Sequence, residues 1–254
     1  MLSKGLSKAQ TLEYVSPKVS QFRVPELFFF KITDYKKAPA DTIKKIQAKF
    51  NGRTVVVRSS ASDEDGSSRA AAGEYDSLLS IDSNDYKILS QAIETVINSI
   101  EHKRKYTPYD ECLVQEMVEN SSMSGVIFTH DLNTGAPYYV VNYDDSSGLT
   151  NTVTAGDNEY SNRTLYVYRG SSSLRSSRFY NLLHATMELE NILDSKYLDI
   201  EFAIDKNLKP CLLQVRSITT HKKWNNSVSK EIDKTLIGVQ AFVKERFKPK
   251  LEVF

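Results

Sequence analysis

Residues 55–79, VVVRSSASDEDGSSRAAAGEYDSLL, constrain this chain more than any other stretch. The β-branched run predicts a buried strand that delivers Arg58 into a loop of Ser, Gly and Ala residues. A loop with such small side chains can approach a ligand closely, and its hydroxyl and N–H groups suit a polyphosphate. Arg58 adds a permanent charge whose planar fork matches phosphate oxygens. The segment therefore indicates a nucleotide phosphate loop, and a plain polar surface loop is the alternative.

The overall composition is that of an ordinary globular protein. The 254 residues are 40% hydrophobic and 26% charged, which is enough for one large or two small domains. The formal net charge of +1 does not indicate a nucleic-acid or membrane partner. Because no stretch approaches about 18 apolar residues and no signal-peptide core is present, we expect a cytoplasmic protein. Cys112 and Cys211 lie in apolar runs, and we expect buried free thiols there.

The order of predicted elements indicates an α+β fold of two lobes. The clearest helix is 85–105, whose apolar face we expect to include Ile88 and Ile93, with Ser83 or Asp85 as its cap. We expect an N-terminal lobe at 1–108, a C-terminal lobe at 109–219, and a linker with a terminal helix at 220–254. The other predicted helices are 42–50, 181–193 and 228–247, and the predicted strands are 24–32, 54–57, 78–81, 112–118, 125–130, 138–142, 163–169, 200–204 and 211–215.

Four segments in a fixed order carry a family resemblance. They are RSSASDEDGSSRAAAGEYDSLLSI from Arg58, LVQEMV at 113–118, SGVIFTHDLNTG at 124–135 and DIEFAIDKNLKPCLLQVRSIT at 199–219. This series resembles the ATP-binding domain of the pyruvate phosphate dikinase and phosphoenolpyruvate synthase family, which belongs to the ATP-grasp superfamily. The resemblance implies an α+β ATP-grasp fold of two lobes, with ATP and Mg²⁺ between them.

The resemblance also implies which residues contact the phosphates. Lys8, in the segment SKAQTL, occupies the place of the family lysine, although the paired glycines of the family are absent and Lys4 is a rival. Arg58 matches the arginine of the RSSA motif. Gly73 and Ser77 match the glycine and the hydroxyl residue of the AGxxxT motif, with Ser in place of Thr. A solvated surface lysine is the alternative reading of Lys8.

The segment QEMV matches the family hinge that lines the adenine pocket. Its residues are Gln115, Glu116, Met117 and Val118. Strand alternation predicts Gln115 and Met117 on one face and Glu116 and Val118 on the other. Recognition of the base would come partly from backbone groups, and a plain buried strand is the alternative.

Glu201, Gln214 and Arg216 form the sharpest predicted constellation. Gln214 and Arg216 share a strand face, and Glu201 lies in the preceding strand of a predicted hairpin. A carboxylate and an amide oxygen suit Mg²⁺, and a guanidinium suits the charge of a transferred phosphoryl group. The resemblance implies that Glu201 and Gln214 are metal ligands and that Arg216 contacts phosphate. Asp199 shares the strand face of Glu201, and we expect it to support that residue. An ordinary surface salt bridge is the alternative.

The resemblance implies a partner that this chain does not contain. The family relays phosphate through a histidine on a separate swivelling domain, and no segment here matches that domain. His130 follows the FT motif where several relatives have arginine, which makes a phosphate contact one reading of it.

Departures from the family motifs suggest a divergent branch. Leu132 replaces the proline after FTxx, and the RP pair is Arg216-Ser217. The runs DDSSGLTNTVTAG and SKAQTLEY resemble phosphoenolpyruvate-synthase-like proteins of bacterial capsule clusters. The best-defined activity of that branch is L-glutamine kinase. Pyruvate, water or an antibiotic as acceptor, a conventional ATP-grasp ligase that releases ADP, and a non-catalytic ATP-binding module are the alternatives.

Overall fold

The structure is a computed structural model that describes residues 6–61, 77–148, 150, 163–171, 174–218, 224 and 226–251. Two antiparallel sheets, each packed against helices, form two lobes, and the predicted α+β class is confirmed. The described elements in chain order are α1 (Lys8–Val15), β1 (Leu27–Lys31), α2 (Ile32–Lys37), α3 (Pro39–Phe50), β2 (Thr54–Ser60), β3 (Ser77–Asp82), α4 (Tyr86–Glu101), β4 (Glu111–Glu116), β5 (Met123–Phe128), β6 (Tyr138–Asp144), β7 (Arg163–Tyr168), α5 (Ser177–Ile192), β8 (Leu198–Ile204), β9 (Pro210–Ser217) and α6 (Asn226–Leu251).

The first lobe is a four-stranded sheet in the order β1-β4-β2-β3, covered on one face by α2, α3 and α4. Val55 and Val57 of β2 are fully buried against these helices. Because side chains alternate along a strand, Val56 and Arg58 point to the opposite face. That face looks toward the second lobe, since Leu113 of the neighbouring strand packs into the second lobe's core.

The second lobe is a five-stranded sheet in the order β7-β6-β5-β8-β9. Leu198, Ile200 and Phe202 of β8 are fully buried in a core shared with α1 and α5. Asp199 and Glu201, which alternate with them, therefore lie on the other face of the sheet. Arg58 of β2 and the acidic residues Asp199 and Glu201 of β8 therefore face the same space between the lobes.

Helix α1 connects the lobes. Its apolar residues belong to the second lobe's core, whereas its N-terminus is bound to the first sheet. The N-cap Ser7 forms a capping box with Gln10, and the side chains of both donate to the Glu111 carboxylate, at 2.5 and 2.7 Å. The N–H of Ala9 also donates to Ser60 Oγ at 3.2 Å. This arrangement fixes the neighbouring Lys8 at the junction of the two sheets.

The point at which the chain leaves the first sheet differs from the boundary predicted at residue 108. Strand β4 follows that boundary, yet it lies inside the first sheet between β1 and β2. The chain passes from one sheet to the other later, at residues 117–122, after the strand ends at Glu116. A division of the chain into domains stays a prediction.

Helix α4 begins where predicted but ends at Glu101, before the predicted end at residue 105, and one position of its predicted apolar face is exposed. Asp85 is its N-cap and accepts a hydrogen bond from the N–H of Ile88 at 2.9 Å. Ile93 is fully buried, but the expectation for Ile88 is wrong, since it is 45% exposed in the first turn.

Cys112 and Cys211 are buried free thiols, as predicted. Within the described part of the chain, no helix combines the length and apolar character needed to cross a bilayer.

The two isoleucines of α4 give a matched pair of substitutions. We expect Ile93→Ala to lower the free energy of unfolding by about 2–5 kcal/mol, because it removes buried methyl groups and leaves a cavity. Ile88→Ala should change it by less than about 1 kcal/mol, since that side chain is largely in water. Urea unfolding followed by circular dichroism measures both, and equal losses would contradict the packing described here.

Candidate functional site

An ion pair across the two lobes marks the centre of the candidate site. Arg58 Nη1 lies 3.0 Å from Glu201 Oε2, and the two side chains are 12% and 21% exposed. The Arg58 Nε is buried and has no hydrogen-bond partner in the described structure. A buried N–H without a partner is unfavourable unless a ligand or water satisfies it. The guanidinium therefore has a donor left for an incoming acceptor group.

The predicted hairpin brings its polar residues together. In the register of β8 and β9, Glu201 faces Gln214 and Asp199 faces Arg216. Arg216 Nε donates to Asp199 Oδ2 at 2.6 Å, so Asp199 pairs directly with Arg216. Gln214 is a buried residue, 7% exposed, and its side chain has no hydrogen bond to other described residues. The sheet thus presents a carboxylate and an unused amide beside each other.

The surroundings of Asp199 act on the pKa of its carboxyl group in opposing directions. Burial raises the pKa of this carboxyl group above its ordinary value, and the negative charge of Glu201 acts in the same direction. The positive charges of Arg216 and Lys8 oppose this shift of the pKa. Ala9, in the first turn of α1, belongs to the same buried cluster as Ile200 and Val215 of the hairpin, so the first turn of α1 lies near the hairpin. Lys8, Arg58 and Arg216 therefore lie in one region of the structure.

The phosphate-loop residues are only partly described. Ser77 begins β3 directly opposite Arg58 in the register of β2 and β3, which places its hydroxyl next to the candidate site. Gly73 lies outside the described residues, together with the rest of 62–76. The predicted phosphate loop can therefore be placed only by its two ends, Ala61 and Ser77.

The predicted hinge departs from strict strand alternation. Strand β4 ends at Glu116, and the buried residues of the segment are Gln115 and Val118, with Glu116 and Met117 partly exposed. The N–H of Met117 donates to the carbonyl of Thr54 at 2.9 Å. The N–H of Val118 has no partner in the described structure, and the buried Gln115 Nε2 also lacks one.

A small apolar cluster lies next to the hinge. Its members are Val118, Ala203, Cys211 and Leu213, all of them buried. Ala203 lies two residues beyond Glu201 in β8, so the two residues share a face of the strand. That face of the second sheet changes along its length from apolar at the hinge to charged at Glu201. Such a surface suits a ligand with a flat apolar part at one end and an anionic part at the other.

The donor set near Arg58 fits a hard divalent cation. Glu201 and Gln214 supply two oxygen donors, and Mg²⁺ commonly takes one or two protein oxygens while it retains water and phosphate ligands. In the described residues no group of three or more His, Cys, Asp or Glu side chains could hold a metal by itself. A metal held jointly by these two side chains and by ligand oxygens matches this donor set.

His130 occupies an aromatic cluster. Its ring stacks on Trp224 with centroids 5.9 Å apart and lies 4.9 Å from Tyr197, and its Nδ1 lies 3.1 Å from the Lys196 carbonyl. Burial, assisted by the positive charge of Arg169, lowers the pKa of His130 to about 4. The imidazole is therefore neutral near pH 7 and carries no charge for a phosphate contact.

Sequence reasoning missed the role of Trp224, which stood in a segment predicted to be a polar linker. Its indole Nε1 donates to the Leu132 carbonyl at 2.9 Å, and its ring covers Gly135, where a Cβ atom would come within 2.6 Å of it. The one signal in the sequence was the presence of the only tryptophan in a polar stretch. Trp224 anchors the start of α6 to the turn between β5 and β6.

Comparison with known proteins gives one family match. Residues 32–168, more than half of the chain, match the family described as pyruvate phosphate dikinase, AMP/ATP-binding domain. No curated protein matches the chain significantly.

Several solved structures resemble the fold weakly. The D-alanine-D-alanine ligase from Helicobacter pylori shares 10% identity, with 88% of this chain and 59% of that chain covered and a TM-score of 0.49. The D-alanyl-alanine synthetase A from Vibrio cholerae shares 13% identity, with 83% and 54% covered and a TM-score of 0.48. The L-amino acid ligase from Bacillus licheniformis shares 11% identity, with 84% and 43% covered and a TM-score of 0.45. The chain spans about half the length of these proteins.

The pKa of His130 predicts how stability depends on pH. Between pH 6.5 and about 4, the unfolded chain binds a proton at His130 that the folded chain does not bind. The free energy of unfolding should therefore fall as the pH is lowered through this range. His130→Phe retains a stacking ring but cannot titrate, so it should flatten this part of the profile. Urea unfolding at several pH values measures the effect, and parallel profiles for the two proteins would contradict it.

Proposed function

The chain belongs to the family of pyruvate phosphate dikinase AMP/ATP-binding domains, and we propose that it binds ATP with Mg²⁺ between its two sheets. The bound nucleotide then pyrophosphorylates a histidine on a separate swivelling domain, with AMP and phosphate as products. The observation that carries this proposal is the Arg58–Glu201 pair, which joins the two lobes where Gln214 and Arg216 also lie. The two-sheet α+β architecture is the one expected for an ATP-grasp fold.

The base would bind at the hinge end of the space between the sheets. The free N–H of Val118 offers a donor to an adenine ring nitrogen, and the apolar cluster beside it suits the flat face of the ring. The buried amide of Gln115 gives a further polar group on the same side. Glu116 and Met117 would contribute through the backbone, which tolerates changes of side chain.

The phosphates would extend toward the charged end of the hairpin. Lys8, Arg58 and Arg216 supply three positive charges there, and Ser77 adds a hydroxyl donor beside Arg58. On binding, Arg58 would exchange its contact with Glu201 for phosphate oxygens. That exchange releases the Glu201 carboxylate to hold Mg²⁺ together with Gln214.

The chemistry required of this chain is positioning and charge stabilisation. A histidine nitrogen of the partner domain attacks the β-phosphorus, the bond from that phosphorus to the α-phosphate oxygen breaks, and AMP leaves. The histidine then carries pyrophosphate, which loses phosphate to water and leaves phosphohistidine. Mg²⁺ neutralises phosphate charge when it is bound. Arg58, Lys8 and Arg216 hold the phosphates in line and stabilise the charge on the leaving oxygen.

For the final acceptor we propose the amide nitrogen of L-glutamine. The support is the resemblance of residues 144–156 and of the segment SKAQTLEY to the capsule-cluster branch. Most of 144–156 lies outside the described residues, so this part of the proposal depends on the sequence alone. The acceptor would bind on another domain, which receives the phosphoryl group from the histidine.

Calorimetric titration with Mg²⁺ and a non-hydrolysable ATP analogue tests the nucleotide site. We expect binding by the unmodified chain, a loss of about ten-fold or more for Arg58→Ala, and a loss of the Mg²⁺ dependence for Glu201→Gln. Lys36→Gln is the matched control, because it removes an ion pair with Glu94 on the outer face of the first lobe. Equal affinity in all four proteins would refute the site.

Product analysis separates the proposed transfer from a ligase reaction. With a histidine domain of the family, L-glutamine and ATP present, we expect AMP, phosphate and a phosphorus–nitrogen species visible by ³¹P NMR. Formation of ADP would favour a ligase that activates a carboxylate. Nucleotide binding without any turnover would favour a non-catalytic module.

A further inference from the structure

Two stretches of chain cross between the lobes side by side at the hinge. Arg23 forms a bridge to the edge of β9, where its N–H donates to the Pro210 carbonyl at 2.8 Å and its carbonyl accepts from Leu212 at 2.9 Å. Three residues later the chain has reached the first sheet, where the Glu26 carbonyl accepts from the N–H of Glu116 at 2.8 Å. The second crossing, at residues 117–122, begins directly after Glu116. Arg23 thus belongs to the second lobe and Glu116 to the first.

The carboxylate of Glu116 is shared between the lobes. Its Oε1 lies 3.5 Å from Arg23 Nη1, on the second lobe. Its Oε2 lies 3.4 Å from Arg53 Nη1, on the first lobe, and accepts from the N–H of Glu26 at 3.3 Å. The Glu116 side chain therefore contacts the first crossing stretch at Glu26, and it pairs with Arg53 of the first lobe and Arg23 of the second.

The first-lobe part of this network is braced from several sides. Arg53 forms an ion pair with Glu26, and its guanidinium also donates to the carbonyls of Phe50 and Lys49 at 3.0 and 3.1 Å. The Lys49 Nζ lies 3.8 Å from Glu26. Arg53 therefore holds Glu116 against a fixed framework, while Arg23, on the second lobe, pairs with the other oxygen of the same carboxylate.

We propose that Glu116 is a positioning residue, which sets the opening between the lobes through Arg23 and so fixes the width of the slot for the base. This inference rests on the proposed function, because the slot it controls is the one assigned above to adenine. The side chain of Glu116 points into the ion network and leaves contact with the base to the backbone of the same segment. A single exposed ion pair has little effect on stability, but at a hinge it restricts a rotation that a few backbone angles would otherwise permit.

The first experiment measures the lobes without nucleotide. Spin labels at Lys45→Cys in α3 and Asn191→Cys in α5 report the distance between the lobes, since both positions are exposed and both native cysteines are buried. We expect Arg23→Gln and Glu116→Gln to broaden the distance distribution, whereas Arg23→Lys, which retains the charge, keeps it narrow. Lys36→Gln should also keep it narrow. A distribution unchanged by Arg23→Gln would overturn the proposal.

The second experiment connects the hinge to the ligand. Arg23→Gln should weaken binding of the Mg²⁺–ATP analogue about five-fold, because the ligand then has to restrict a lobe rotation that Arg23 no longer limits. The midpoint of urea unfolding should change little, since a single exposed ion pair contributes little to stability. If Arg23→Gln broadens the distribution of distances between the lobes but leaves the affinity for the Mg²⁺–ATP analogue unchanged, the inference that Glu116 fixes the width of the slot for the base is wrong. Absence of binding by the unmodified chain would refute the proposed function instead, and the distance measurement would still decide whether Glu116 couples the lobes.

Discussion

The ion pair between Arg58 and Glu201 joins strands whose residues lie 143 positions apart in the chain. Both side chains are mostly buried, so each charge requires a partner, and removing one would leave the other uncompensated. The orientation of β2, the hairpin of β8 and β9 and the position of α1 all have to agree for this contact to form. A ligand that carries both anionic oxygens and a divalent cation can replace each half of the pair. In the proposed function, this contact stabilises the site before a ligand binds and is exchanged for ligand contacts afterwards.

The two charge links between the lobes differ in their exposure. The Arg58–Glu201 pair is well shielded, whereas Arg23 and Glu116 are 37% and 24% exposed. Shielded charges interact more strongly and are screened less by salt. The contact between the lobes is therefore stronger at the charged end, where the proposed ligand would displace it, and weaker at the hinge, where we infer that the lobes rotate. A stronger ion pair at the charged end and a weaker one at the hinge suit a cleft that opens at the charged end by rotation about the hinge.

Much of the fold and the site was predictable, for identifiable reasons. The strong 3.6-residue period of α4 predicted a helix there, and the hairpin pairing of Glu201 with Gln214 followed from strand alternation and a short turn. Ile88 was misplaced because periodicity locates a helix face but cannot tell which end of that face is covered by another element. The membership of β4 in the first sheet was missed, because strand order depends on contacts distant in sequence. The contacts of Arg23, Glu116 and Trp224 were missed for the same reason.

The contact between Gly135 and Trp224 has a consequence for related sequences. Gly135 has a φ of +73°, and the indole lies where a Cβ atom would be. Two separate constraints, one on the backbone and one on space, therefore exclude a side chain at this position. If the tryptophan were lost, only the backbone constraint would remain, and asparagine could replace glycine at moderate cost. Positions 135 and 224 should accordingly vary together during divergence, with a larger residue at 135 appearing only in relatives that lack the indole.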